Sequence, residues 1–324
     1  MNQSRLAIVI PAYKPDFLDE TLASLASQVN KGFTVYIGDD CSPYHLYDIV
    51  CKYESLIQII YHRFDTNLGG KDLVAQWERC IAMSKDEEYI WLFSDDDVME
   101  PNCVAEFYKS IEQTKNSYNL YHFDINIINE DGEQVSVCPA FPEIKNDWDY
   151  YEIIMNPQYS TYVVEYIFSR KVYEQNGGFV NFDLAWGSDK ATWTVFCGDD
   201  GLYTIPSAKV NWRRSGKNIT PDMTKPILER KMMANCEFLC WAYKRFYNVH
   251  PMIFNLNRKQ LIRRMGMTKR FIGKECFDNI IDNFFSVHGH EEFRKQTLLR
   301  IFLSHYKNAF FSSKIGLSIK RLIR

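Results

Sequence analysis

The chain has 324 residues, 46% hydrophobic and 15% aromatic, which excludes intrinsic disorder and provides the core of one large domain or two modest ones. Its net charge of −3 conceals an asymmetry: residues 225–324 hold 20 Lys+Arg against 7 Asp+Glu, about +13, and the rest holds 18 against 34, about −16. An acidic first part suits a cation-using site, and a basic last part suits an anionic partner.

Leu6–Ile10 reads as a buried strand, ended by the turn Pro11-Ala12-Tyr13. Phe17 to Val29 has helical spacing, with Leu18, Leu22, Leu25 and Val29 on one face. Phe33–Ile37 is the next strand and runs into Gly38-Asp39-Asp40-Cys41-Ser42. A helix near Leu46–Tyr53 and a strand at Ile57–His62 follow, and Asn67-Leu68-Gly69-Gly70 opens a helix to about Met83. Tyr89–Phe93 is a further buried strand, with a helix beginning near Pro101. Strands alternating with helices predict βαβ units and a mainly parallel sheet, in which ligands bind at the carboxyl ends of strands. Pro11–Tyr13, Asp39–Ser42 and Asp95–Asp97 all fall at such ends.

From about residue 118 to 224 the pattern is mixed. Strands are expected at Asn119–Asn126 and Val163–Ser169, a turn at Gly177-Gly178-Phe179, and a hairpin turn at Asp199-Asp200-Gly201. Beyond Pro226 the chain reads helical to its end. Nine scattered cysteines without a Cys-x-x-Cys pair predict reduced thiols in a cytosol. Leu6–Ile10 is too short for a signal peptide, and no apolar run approaches a membrane span.

Asp95, Asp96 and Asp97 follow the Tyr89–Phe93 strand directly. Three adjacent carboxylates at a half-buried strand end repel one another and call for a cation. Oxygen-only ligands favour Mg²⁺ or Mn²⁺, ions commonly shared with substrate phosphates. The alternative is a solvated acidic turn before a helix. The seven histidines lack zinc-ligand spacing, and no phosphate loop, dinucleotide turn or nucleophile elbow is present.

The ordered set Ile-Pro-Ala-Tyr (10–13), Asp-Asp-x-Ser (39–42), Asn-x-Gly-Gly (67–70), the acidic triplet with Pro101 beyond it, and Gly-Gly-Phe (177–179) resembles the family-two inverting glycosyltransferases over roughly residues 5–220. The resemblance implies an α/β GT-A fold, a mixed, mainly parallel sheet with helices on both faces. It places a catalytic domain at 1–224 (a nucleotide-binding half, 1–100, and an acceptor-side half, 101–224) and a basic helical extension at 225–324. It further implies a hexosyl- or N-acetylhexosaminyl-transferase using a UDP-type sugar donor, Mn²⁺ or Mg²⁺, and a glycan or lipid-linked acceptor in surface-polysaccharide assembly.

Carried over residue by residue, Pro11, Ala12 and Tyr13 line the nucleoside pocket, with Asp39 and Asp40 facing the base; a helix N-cap is the alternative for the Asp pair. Asn67, Gly69 and Gly70 allow close backbone approach, and Lys71 meets a phosphate or is simply solvated. The family's Asp-x-Asp falls on Ser94, Asp95 and Asp96, so Ser94 and Asp95 contact the donor while Asp96, with Asp97, holds the metal. Asp189 is the expected catalytic base in Trp186-Gly187-Ser188-Asp189, where Ser188 replaces the usual Glu; Asp183, Asp199 and Asp200 fit the spacing less well. Trp186, Gly187 and Ser188 are the acceptor-side residues. Arg213, Arg214 and Lys217 clamp phosphates or form a basic surface turn.

The last residues, 310–324, interleave apolar and basic side chains, with Lys314, Lys320, Arg321 and Arg324 around Ile315, Ile319, Leu322 and Ile323. Such an end lies on an anionic bilayer, at the inner face of a cell membrane, or packs on the body or on a second subunit as a homo-oligomer contact. Nucleic acid is not the expected partner. A nucleotidyltransferase making a nucleotide-sugar and a catalytically silent glycan-binding protein are the competing readings.

Overall fold

Seven consecutive residues of low polarity, Leu6–Ala12, form β1, and all but Pro11 are buried. The computed structural model describes residues 4–216 and 222–312. They fall into two compact units, one within Met1–Asn181 and Ser188–Asn218, the other within Phe182–Gly187 and Ile219–Arg324.

In the first unit β1 is flanked in parallel by β2 (Phe33–Asp39) and β4 (Tyr89–Leu92), and β2 by β3 (Ile59–Arg63). Helices α1 (Leu18–Ala26), α2 (Tyr47–Val50) and α3 (Leu73–Ile81) connect them. Short, β-branched strands buried on both faces are what a helix-covered parallel sheet requires. The sheet continues through β5 (Val98–Met99), β6 (Leu120–Ile128), β7 (Gln134–Val137), β8 (Tyr166–Ser169) and β9 (Tyr203–Arg213), in the order β3-β2-β1-β4-β8-β6-β9-β5 with β7 on β6. Beyond β4 the pairing is mostly antiparallel, with β6 and β9 parallel. Helices α4 (Cys103–Gln113), α5 (Asp147–Met155), α6 (Arg170–Gln175) and α7 (Ser188–Cys197) complete the unit. The fold is therefore GT-A-like, mixed as expected.

Three local expectations change. Val29 is 76% exposed because α1 stops at Ala26; its N–H instead donates to the carbonyl of Pro101 at 2.8 Å. The helix expected from Asn67 starts only at Leu73, capped by Asp72, whose carboxylate accepts from the Ala75 N–H. Asp199-Asp200-Gly201 joins α7 to β9, so it is a helix-to-strand turn and not a hairpin.

The second unit is helical: α8 (Lys225–Phe246), α9 (Ile253–Thr268), α10 (Lys274–His288) and α11 (Arg294–Ser312). Pro226 in the first turn of α8 suits a position without an N–H partner. Residues Phe182–Gly187 belong to this unit: the carboxylate of Asp183 pairs with Arg230 of α8 at 2.6 and 2.8 Å, and Lys231 lies 4.8 Å over the Trp186 ring. Gly187 has φ +96°, and a Cβ there would stand 3.4 Å from Phe238. Among the described residues no helix is long and apolar enough to cross a membrane. Residues 313–324 and Lys217 lie outside the described residues.

Candidate active site

Three loops meet at the carboxyl ends of β1, β2 and β4. The carboxylate of Asp95 accepts the backbone N–H groups of Tyr13 and Lys14 at 2.8 and 3.0 Å, tying the β4 end to the β1 end. The Asp40 N–H donates to the Ala12 carbonyl, and the Ser42 hydroxyl to that of Tyr13, tying β2 to β1. Pro11 and Ala12 are thereby held in the strand, and the Tyr13 side chain is left 39% exposed at the mouth.

Asp39 and Asp40 are buried and heavily bonded. Asp39 accepts from the Ser42 N–H (2.7 Å), the Tyr61 hydroxyl (2.5 Å) and Arg63 (3.0 Å). Asp40 accepts from the Leu68 and Gly69 N–H groups, the Asn67 amide and Arg79. Asp40 is thus the hub around which the Asn67–Gly70 loop folds. A Cβ on Gly69 would lie 2.8 Å from its Oδ2, so only glycine lets the backbone come this close. Lys71, at the loop's end, is exposed.

The acidic triplet divides by partner. Asp97 is buried; its Oδ1 accepts the Arg213 N–H at 2.6 Å and its Oδ2 the Ser94 hydroxyl at 2.6 Å. Each of its oxygens thus already accepts one internal hydrogen bond. Asp96 is half-buried; the Ser94 hydroxyl (2.8 Å) and its own N–H donate to its carboxylate, and the charges of Lys14 and Arg213 act on it. Ser94 has a single proton for two carboxylates, so one of the two contacts needs a proton on an acid. Burial, then the neighbouring Asp96 charge, pushes Asp95 up to about 6, against the two N–H groups it accepts. Burial likewise raises Asp96, and raises Asp97 well above the ordinary range.

Arg213 was expected at a phosphate. Instead it is fully buried behind the triplet, with Nε donating to the Asp96 carbonyl, Nη1 to the carbonyls of Asn129 and Glu130, and Nη2 to Glu20 at 2.5 Å. It also lies 4.4 Å over the Phe17 ring. A planar fork satisfies these partners at once, which an ammonium cannot do. Arg213→Lys is expected to lower stability by about 2 kcal/mol through stranded carbonyls, read as a reduced urea midpoint; an unchanged midpoint would show that the clamp contributes nothing. Arg214 is exposed beside it.

Asp189 occupies the first turn of α7, half-buried, with its own and the Lys190 N–H directed at its carboxylate. Burial raises its pKa, opposed by Lys190. Its charge is felt by two buried groups, Tyr150 and Glu165. The Tyr150 hydroxyl donates to that of Tyr166 (3.1 Å), which is 2.6 Å from Thr161. Glu165 accepts from Thr161 and from the Tyr162 N–H through one oxygen, and its other oxygen is buried without a hydrogen-bond partner. Burial raises Glu165 well above its ordinary value. β8 (Tyr166–Ser169) runs antiparallel to β4 with Trp91 opposite Ile167, so the start of β8, which Glu165 precedes, lies towards the end of β4 that leads to Ser94.

Ser188 is fully buried and caps no open surface; Trp186 and Gly187 belong to the other unit. Of the competing acids, Asp183 is paired with Arg230, and Asp199 and Asp200 are exposed. Glu165, Tyr150 and Tyr166 escaped notice, although a lone Glu inside the apolar run Val163–Ser169 was a readable signal. Gly178 (φ +97°) and Phe179 seat the Gly-Gly-Phe turn on α3: the Phe179 N–H donates to Glu78 at 2.9 Å, and its ring packs against Trp77.

A parallel βαβ half with polar strand ends, joined to an antiparallel extension, is the arrangement of a GT-A fold. The chain belongs to glycosyl transferase family 2, whose family model matches residues 7–173, just over half of its 324 residues. It is a glycosyltransferase. No curated protein sequence gives a significant match. Among solved structures, S. aureus TarS 1-349 is similar with a TM-score of 0.65 and 14% identity, covering 98% of this chain and 91% of that one. Its complex with UDP-GlcNAc gives 0.58 and 15% identity over 98% and 92%. The mannosyltransferase PcManGT from Pyrobaculum calidifontis, in complex with GDP-Man and Mn²⁺, gives 0.53 and 12% identity over 95% and 88%.

Proposed function

We propose that the enzyme transfers a sugar from a UDP-linked donor to a hydroxyl of a glycan or lipid-linked acceptor with inversion, in surface-polysaccharide assembly on the cytoplasmic side of a membrane. The observation that carries this reading is the acidic triplet directly beyond β4, with the antiparallel strand β8 beside it and Glu165, which feels the Asp189 charge, just before that strand. Tyr13, with Pro11 and Ala12, lines the nucleoside pocket that the internally bonded Asp39 and Asp40 hold in shape. Asn67, Gly69 and Gly70 offer backbone to the diphosphate, and the exposed Lys71 and Arg214 offer charge. Ser94 and Asp95 border the donor. Asp189 removes the proton of the acceptor hydroxyl as that oxygen bonds to the anomeric carbon, while the bond to the diphosphate breaks on the opposite face. Ser188 is the buried start of α7, one residue before Asp189.

Among the described residues no three His, Cys, Asp or Glu side chains form a ready metal cage. The donor set fits Mg²⁺ or Mn²⁺ bound by one carboxylate, Asp96, together with substrate phosphates. Such an ion would offset the charge gathering on the leaving diphosphate. The similar folds solved with UDP-GlcNAc and with GDP-Man and Mn²⁺ agree with this reading.

The test is release of UDP from a panel of UDP-sugars with Mn²⁺, which should depend on added acceptor. Release from none of them, with a GDP-sugar active instead, would overturn the UDP assignment. A pH experiment examines the metal separately. Because the folded protein raises Asp95 to about 6, the stability that it contributes is complete below about pH 4 and is lost as pH rises through about 6; Asp96 and Asp97 are raised in the same direction. A cation bound to the ionised form offsets that loss. Mn²⁺ with UDP should therefore raise Tm more near pH 7.5 than near pH 5; equal shifts would place the ion away from the triplet.

A further inference from the structure

Helix α11 has two unlike faces. Thr297 and Ile301 are fully buried, and α9 is its neighbour in the unit: a Cβ on Gly266 would lie 2.6 Å from that of Ser304. On the other side Leu299 (58% exposed), Phe302, Leu303 (60%) and Tyr306 (69%) recur at three- and four-residue steps and face outward. The end of α9 adds Met267 and, just beyond it, Phe271, both exposed, and Lys269 stands 4.4 Å from the Phe302 ring. Large apolar side chains at this spacing are ordinarily covered.

The charge around them identifies the cover. From Lys295 to Lys307 the sequence holds three Lys and Arg (295, 300, 307) and no Asp or Glu, while Arg294 is already paired with Glu291 and Asp282. Lys295, Arg300 and Lys307 are exposed alongside the apolar stripe. A second copy docking by this face about a two-fold axis would set basic side chains against basic side chains, with no acid from α11 to offset them. An anionic bilayer accepts both features, taking apolar side chains at the headgroup boundary and cations at the lipid phosphates. We propose that the outer face of α11 docks this enzyme on an anionic phospholipid surface. The proposal is independent of the donor chemistry, since it uses no residue of the candidate active site.

The experiment is co-sedimentation of the full chain with vesicles of phosphatidylcholine containing about one-third phosphatidylglycerol, against phosphatidylcholine alone, at low and high salt. Binding is expected only to the anionic vesicles, and weaker at high salt. The double variant Leu303→Glu, Tyr306→Glu changes two exposed positions, so its circular dichroism should match the parent while its vesicle affinity falls about tenfold or more. Absence of binding by the parent, or equal binding by the variant, overturns the proposal. So does a parent dimer that the variant dissolves without any vesicle binding, which would give the face to a second copy. UDP release measured on the same samples keeps this outcome separate from that of the transfer reaction.

Discussion

Asp189→Asn is expected to lower turnover by about a hundredfold or more while leaving nucleotide binding almost unchanged. The amide keeps the size of the side chain, and the two N–H groups at the first turn of α7 retain an oxygen to donate to, so the local structure should persist. What disappears is the proton acceptor. Burial raises the Asp189 carboxyl above its ordinary value, which makes it a stronger base nearer neutral pH. The acid limb of the parent's kcat profile should accordingly lie above the usual aspartate range and vanish in the variant. Glu165 is buried, which raises its carboxyl well above the ordinary range, and Asp183 is paired with Arg230. Calorimetry with UDP and steady-state kinetics on the same protein make the check. Turnover within a few-fold of the parent would assign the base to another acid.

The parallel half was readable because its strands are buried on both faces. Leu6–Ala12, Phe33–Asp39 and Tyr89–Leu92 are continuous apolar runs ended by polar clusters, a pattern set locally. The start of α3 was misread for the opposite reason. Asn67-Leu68-Gly69-Gly70 looks like a helix opening, but Asp40, 27 to 29 residues earlier, captures its N–H groups and holds it as a loop. Arg213 shows the same limit more strongly. Two adjacent arginines after a strand resemble a surface turn, and only partners 83 to 193 residues away turn one of them inward. Likewise nothing local marks Asp97 as bonded on both oxygens. Asp95 and Asp96 lie in a bend between β4 and β5, where no local periodicity fixes which carboxylate turns inward.

That difference within the triplet makes Asp96→Asn the sharper test of the donor site. The variant should lose metal-dependent UDP affinity by about tenfold to a hundredfold, because a neutral amide is a poor ligand for a hard cation. Its fold should survive, since Arg213 binds the Asp96 carbonyl and not its carboxylate, and the Ser94 hydroxyl retains Asp97 as an acceptor. Asp97→Asn gives the contrast. It replaces a buried acceptor of the Arg213 N–H and the Ser94 hydroxyl, so the cost should appear in the urea midpoint as well as in binding. Titration of UDP with and without Mn²⁺ separates the two effects: Asp96→Asn should bring the Mn²⁺-containing curve down to the metal-free one at unchanged stability. An Asp96→Asn protein that still gains affinity from Mn²⁺ as the parent does would move the ion to Asp95 or off the triplet, and with it the site of the departing diphosphate.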